Sequence, residues 1–550
     1  MHKVFGNHNF HFSFFNFQLV LITALLAGCS LDENPKSQIG EDVIYTDAQT
    51  LYQHAVATLY SYIGGNVEGE GLQGMGRGVS DLQTFGSDEA IMPRRGVDWY
   101  DGGIWQDLYR HSWSAGHEMV KNSWMYLYKV VGLCNRSLET IDTHRDLLIE
   151  LQYQRYTAEV RALRAIYYWY LLDLYGRVPI VTNASMLPKD VEQAERSEVF
   201  DFVRTELEAT LPYLHDAKSS EYGAYYGRVT QGVAAFVLAK LYLNAEVYTW
   251  DQWTTTPRPD GSQMTFTISG NTMNAWEACT HYCTLIDQMG YDLSDSYEEN
   301  FKVYNEGSLE NIWIIPMDRR IYTHQQQNLV RSMHWRHANG YGFQGSNGSS
   351  ATITVLMAND FEGENEDMRF AKNYWSATVA DKEGYTIYDR DGNPLRYMPW
   401  EVSIDMKGSQ YLETAGARMR KYEIDHNAAQ KGKMMNNDVV LFRYADVVLM
   451  MAEAYLRNGD ATSAQPLLDM VRERADMPTV DATLDNIYRE RLIELAWEAW
   501  RRQDMIRFDR YKSELADNAV NESDHHTIVF PIPGTVISLN NKKITQNFGY

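Results

Sequence analysis

In residues 158–175 the apolar positions Val160, Leu163, Tyr167, Tyr170, Leu171 and Leu174 recur at three- and four-residue steps, the spacing of an amphipathic helix. Ala158, Ala162 and Ala165 fall on another face, where short side chains let a second helix approach. Gly176 and Pro179 end it, since glycine takes the left-handed cap and proline cannot continue. Over residues 230–248 the apolar positions run nearly all round, which predicts a helix sandwiched between others. The clearest unit comes later. Residues 443–458 and 461–475 both carry helical spacing, Gly459-Asp460 turns the chain between them, and Pro478 closes the unit. Its length, roughly 34 residues, is that of a tetratricopeptide helix-turn-helix repeat. A further helix is predicted over 484–511, where Glu498 can reach Arg501 and Arg502 at i, i+3 and i, i+4. That is ion-paired helix chemistry and points to no catalytic role.

Residues 251–440 break the helical rhythm with short strand-like runs among Gly, Asn and Asp. One such run is 311–316, and 388–393 has the composition of a hairpin turn. The predicted fold is mostly α: tetratricopeptide-like helix pairs form a scaffold, and an irregular, loop-rich half with some β-structure is wrapped on it. No Pro/Ser/Gly-rich linker divides the chain, so residues 41–550 are expected to form one body. Its scaffold is placed at about 41–250 and 441–515, its insertion at about 251–440, and its tail at 516–550.

The chain has 550 residues, 44 % of them hydrophobic and 13 % aromatic. That is ample for a large core and excludes a disordered chain. Asp and Glu number 73 against 50 Lys and Arg, a net charge of −23, which argues against nucleic acid as a partner. Lys3 is the only charged residue in 1–28, and its apolar run at 19–26 is far shorter than the ~20 residues of a membrane span. It reads as a cleaved signal peptide. Leu26-Ala27-Gly28-Cys29 resembles a bacterial lipoprotein signal, in which Cys29 is lipidated and becomes the first residue. Residues 29–40 then form a tether held to the outer membrane by acyl chains, and Asp32 and Glu33 resemble a surface-export tag. Cys134, Cys279 and Cys283 match no zinc spacing and read as small core residues.

Enzyme and cofactor motifs are weak. Gly69-x-Gly71-x-x-Gly74 lacks the preceding strand of a dinucleotide site and reads as a loop. Lys121 stands where a second histidine would complete a zinc motif with His117-Glu118. Asp389, Asp391 and Asn393 begin like a calcium loop but have Gly392 in the wrong place. Asp524-His525-His526 reads as a solvated loop. No metal, cofactor or catalytic residue is therefore assigned. Two loops are more informative. Residues 87–103 put Arg94, Arg95, Asp98, Trp99 and Tyr100 in a glycine-rich segment, and residues 334–343 do the same for Trp335 and Tyr341. Flat aromatic faces stack on the C–H surface of sugar rings while Asp and Arg bond hydroxyls. Trp105, Trp113 and Trp124 read instead as core.

Taken together these pieces resemble the SusD/RagB outer-membrane lipoproteins. The resemblance rests on Cys29, Ser87-Asp88-Glu89, the run 158–165 leading to Tyr175-Gly176-Arg177-Val178-Pro179, Arg443-Tyr444-Ala445-Asp446, the run 471–475, and the terminal Asn547-Phe548-Gly549-Tyr550. It implies a non-enzymatic, outward-facing lipoprotein that captures oligosaccharide and delivers it to a SusC-type TonB-dependent transporter. From the family only the Trp99 region is carried over as a sugar platform, with Arg94, Arg95, Asp98 and Tyr100; Trp335 and Tyr341 are added from the second loop. A peptide-binding member of the same fold and a surface glycoside hydrolase are the alternatives.

Overall fold

The computed structural model describes residues 44–73, 76–320, 328–511, 525–540 and 543–550. The leader at 1–28, Cys29, the tether to residue 40, Gly74 and Asp524 lie outside the described residues.

Helix α1 (Glu118–Thr143) packs along α2 (Glu150–Tyr175), and α3 (Arg196–Thr210) covers another side of α2. Helix α2 starts well before the apolar pattern at Ala158, because its first two turns lie largely at the surface and carry no core-facing period. It ends where predicted, on Gly176 at φ 68°. Helix α4 (Gln231–Leu243) is buried nearly throughout, as its all-round apolar composition demands, and a break at Asn244 separates it from the turn Ala245–Tyr248. Helix α5 (Ala275–Asp287) lies between α4 and α6 (Tyr444–Arg457), and α6 pairs with α7 (Ala461–Arg474). The α6–α7 turn uses Gly459 at φ 79° and Asp460, whose carboxylate accepts the Ser463 N–H.

Two expectations are corrected. First, α5 falls within 251–440 yet belongs to the scaffold. Its Asn274 side chain caps Glu277 N–H at 2.9 Å, and Ala275, Ala278, Cys279, Cys283 and Ile286 are buried. An apolar face built from Ala and Cys gives little periodic contrast, which hid it among the glycines around it. Second, 484–511 is two helices, α8 (Leu484–Glu494) and α9 (Arg501–Arg507), with Trp497 and Ala499 in left-handed conformation between them. Tertiary partners claim the backbone there: Lys421 Nζ donates to Ala496 O at 2.6 Å, Arg443 to Glu494 O at 2.6 Å, and Trp497 N–H to the Glu89 carboxylate. The pairs expected of Glu498 with Arg501 and Arg502 do not form, although Arg507 and Asp504 pair along α9 at 2.7 Å. Glu498 meets Lys421 and Arg443, Arg501 meets Asp88, and Arg502 meets Asp173.

The insertion is closed at its ends. Asn311–Ile315 pairs antiparallel with Val439–Arg443, the strand that runs directly into α6. Two shorter pairs fix its interior, Ala90–Ile91 with Ser350–Ala351 and Tyr374–Trp375 with Arg418–Met419. Beside the main core this half has two small ones, Val330, Met333, Ala338, Phe343 and Met435 in one, and Val379, Leu395 and Tyr397 in the other.

Candidate functional site

The backbone of Arg95 and Asp98 exchanges two hydrogen bonds of 3.0 and 3.1 Å around Gly96, whose φ of 70° makes the tight turn possible. This turn delivers Trp99, itself left-handed at φ 57°, onto a second loop. The Trp99 indole N–H donates to Ser346 O at 2.7 Å, and its ring meets Trp105 edge to face at 5.6 Å. Gly348 lies against the same ring: a Cβ there would stand 2.9 Å from it, so only glycine lets the two loops close. The polar edge of Trp99 is thus consumed by the protein, and its half-buried ring is a fixed platform.

Tyr100 is exposed, with the Arg94 guanidinium 4.4 Å above its ring. Arg94 also donates to Gly96 O at 3.0 Å and lies 3.7 Å from Asp405. Asp98 is exposed. Arg95 departs from the expectation of a ligand contact. It is buried, and its two terminal nitrogens donate to Leu412 O and Ala415 O at 2.9 Å each. It is therefore a strut between the 87–103 loop and the insertion.

The second loop opens on the short helix Trp335–Gly340, capped by the His334 ring, whose Nδ1 accepts the Arg336 N–H at 3.1 Å. Trp335 is 41 % exposed and stacks on His334 with centroids 4.0 Å apart. Tyr341 is half-buried beside His337, Phe343 and His426. The two loops form one surface through shared supports. Arg418 donates to Gly348 O at 3.3 Å under the Trp99 ring and sits 5.1 Å from the Tyr397 ring. The Tyr397 hydroxyl accepts the His334 N–H and meets His337 Nδ1, both at 3.0 Å.

Burial, reinforced by the field of Arg418, pushes His334 and His337 down to about 3, so both rings are neutral. With Nδ1 of His334 accepting a bond, Nε2 carries its proton; it makes no hydrogen bond and lies 3.5 Å from the Glu413 carboxylate. Burial likewise lowers Arg418 to about 10 and Arg95 well below the ordinary guanidinium range. These groups hold the surface in shape.

Residues that the sequence did not single out also belong to this region. Trp375 lies edge-on to His337 at 4.8 Å. Tyr385 and Tyr388 are exposed on a hairpin whose Lys382 N–H bonds Gly340 O, and Trp400 is exposed with its N–H on Glu362. The signal for them is the one used for 334–343, aromatics among Gly and Asp without helical period. The turn at 388–393 forms as predicted, with the Asp389 carboxylate accepting Asp391 and Asn393 N–H groups. Trp105, Trp113 and Trp124 are core, and Cys134, Cys279 and Cys283 are buried. Hollows of about 480 and 360 Å³ lie elsewhere, among α1–α3 and between α1 and the C-terminal residues 536–544.

Residues 301–550 match the model of the SusD family, and residues 83–243 match one described as starch-binding associating with outer membrane. A SusD-like protein of Bacteroides ovatus is 24 % identical over 521 residues, covering 92 % of this chain and 83 % of the relative. The starch-binding protein SusD of Bacteroides thetaiotaomicron is 24 % identical over 517 residues, covering 88 % and 87 %. Among solved structures, surface glycan-binding protein A of B. thetaiotaomicron in complex with laminarihexaose superposes with a TM-score of 0.67 at 19 % identity, covering 91 % of this chain and all of that one. This last likeness establishes the fold.

Proposed function

The chain belongs to the SusD/RagB family, and from that premise we propose that it captures an oligosaccharide at the cell surface and passes it to a SusC-type TonB-dependent transporter, without cleaving it. The relatives' printed names speak of starch and laminarihexaose, which supports a glycan as the ligand class. In this reading acylated Cys29 anchors the protein to the outer membrane, the 29–40 tether gives it reach, and the transporter is its partner. The observation that carries the proposal is the meeting of Trp99 with the 334–348 loop over Ser346 and Gly348. Trp99, Tyr100, Trp335 and Tyr341 then offer stacking faces on a preformed support, with Arg94 and Asp98 beside them for hydroxyls. A rigid aromatic shelf binds sugar without large loss of side-chain entropy.

Titration of the protein with a panel of oligosaccharides and peptides tests this by calorimetry. A glycan is expected to bind, and Trp99→Ala to weaken it at least ~tenfold, the loss of about 1.4 kcal/mol of stacking, while its reducing-end content stays constant during incubation. Binding of peptides alone would replace the ligand class. Release of reducing ends would make the protein a hydrolase.

A further inference from the structure

Segments 328–358, 414–422 and 426–437 contain no Asp or Glu, in a chain that has 73 of them. The fold gathers all three behind the Trp335–Tyr341 wall. Ala351 N–H bonds Ala417 O at 2.9 Å, Gln344 N–H bonds Lys431 O at 2.9 Å, and the Phe343 ring lies over Gly432. Of the cations in these segments, Arg331 is held by Asp81 and Lys421 by Glu498. Arg336 and Arg420 are exposed and have no carboxylate within 4.0 Å among the described residues. Arg420 donates to Ala371 O at 2.9 Å and feels Glu298 at longer range, as Arg336 feels Asp389.

Behind them stand the two buried arginines of the supports. Arg95 and Arg418 donate only to main-chain carbonyls, and Nε of each has no partner. Neither has a carboxylate within 4.0 Å among the described residues. Of the acids around them, Asp405 lies 3.7 Å from Arg94, Glu413 lies 3.5 Å from the neutral His334, and Asp98, backbone-paired with Arg95, is exposed. A buried cation keeps its field when its counter-charge is missing, because the low-dielectric wall screens it less than water would. The aromatic shelf of an otherwise strongly acidic protein therefore lies over four guanidinium groups with no carboxylate in contact, the acids Asp381, Asp389 and Glu298 acting only from farther off.

The geometry points to an anionic glycan as the ligand. Pyranose faces stack on the aromatic shelf, while a uronate carboxylate or sulfate ester meets the exposed guanidinium groups of Arg336 and Arg420, with Arg418 and Arg95 behind. Guanidinium forks match both anions in shape and charge. This inference rests on the glycan reading above and narrows it.

The test is calorimetry on the whole mature protein with oligogalacturonate, a sulfated galactan oligosaccharide and a neutral laminari-oligosaccharide of equal length. At least one anionic ligand is expected to bind ~tenfold or more tightly than the neutral one, and to lose about tenfold between 50 and 500 mM NaCl. Comparing the two anionic arms tells carboxylate from sulfate. Arg336→Gln and Arg420→Gln, both at the surface and so neutral for folding, are each expected to weaken the anionic ligand roughly three- to tenfold and to leave neutral sugar untouched. Neutral sugar binding as tightly as both anionic ligands, or anionic binding indifferent to salt and to both substitutions, overturns the inference. If Trp99→Ala still abolishes that binding, the glycan reading survives. No binding of any glycan by the unmodified protein overturns both.

Discussion

The buried arginines that staple the helices behave differently from the pair behind the aromatic shelf. In the helical half Arg443 is fully buried against Glu310 at 2.9 Å, Glu494 at 2.6 Å and Glu498 at 2.8 Å. Arg491 bridges Asp446 and Asp504, and Arg507 holds Glu453. Carboxylates raise these guanidinium groups despite their burial. In the loop half Arg95 and Arg418 bond only carbonyls, and burial lowers both. The staples around α6, α8 and α9 thus use compensated charge to tie segments distant in sequence, and Arg369 of the insertion joins them on Asp367, Glu490 and Glu494. Arg196 of α3, in contrast, is buried with no carboxylate within 4.0 Å among the described residues and is lowered to about 10. Around the aromatic shelf positive charge is left unbalanced, where a ligand can use it.

The comparison breaks most visibly at Arg443. Replacing it with Met takes one guanidinium from three buried carboxylates, which keep only Arg474, Arg369 and Lys421, and urea denaturation should show a loss of about 3–5 kcal/mol. Arg418→Met strands no carboxylate, only carbonyl acceptors that can turn to water or neighbours, and should cost roughly 1–2 kcal/mol. Equal losses would mean that the two halves do not differ in this respect.

Acid should separate the halves next. His334 and His337 have folded values of about 3 against an ordinary 6.5. Their stabilisation is complete above pH 6.5 and is lost as pH falls towards 3, because the unfolded chain binds the protons first. At pH 4.5 the loss amounts to about 2.7 kcal/mol for each ring. The paired Asp446 and Glu453 of the scaffold are lowered from 3.8 and 4.5, so their contribution begins to fade only below about pH 4.5. Hydrogen exchange, corrected for intrinsic rates, should therefore show residues 328–348 loosening between pH 6.5 and 4.5 while 444–474 stay protected. His337→Gln should flatten that response.

Much of the scaffold was legible because its periodicity is backed by size. Bulky positions in 158–175 and 444–474 mark faces that only helix–helix packing can bury. Helix α5 was not legible, since Ala and Cys mark a close contact as weakly as they mark a surface. The break at 495–500 was invisible for another reason: it is imposed by Lys421, Arg443 and Glu89, none of them local. In the site, aromatics among glycines pointed to Trp99 and Trp335. Arg95 could not be told from Arg94 beside it, because which guanidinium turns inward depends on carbonyls some 320 residues away.

Glu89 sits where the halves join and supplies the smallest expected effect. It precedes the strand Ala90–Ile91 that pairs with the insertion, and its carboxylate accepts the Trp497 N–H at the break between α8 and α9. The second oxygen has no partner. Burial pushes the group up to about 7, against the opposing pull of that N–H and of Lys421 and Arg501. A carboxyl raised in the folded state stabilises fully below its unfolded value near 4.5 and loses that contribution as pH climbs through 7. At pH 8 the protein holds an ionised, half-satisfied carboxylate in its interior. Glu89→Gln keeps the oxygen facing Trp497 and removes the charge, but it also gives up the pull of Lys421 and Arg501. Of the ~3 kcal/mol that the full shift represents, the variant should therefore gain about 1 kcal/mol at pH 8 and be indistinguishable at pH 4.5. Thermal melts at the two pH values measure this. An identical shift at both would mean that shape, and not charge, decides what this joint tolerates, and the division into compensated staples and an uncompensated shelf would then stop short of the seam between them.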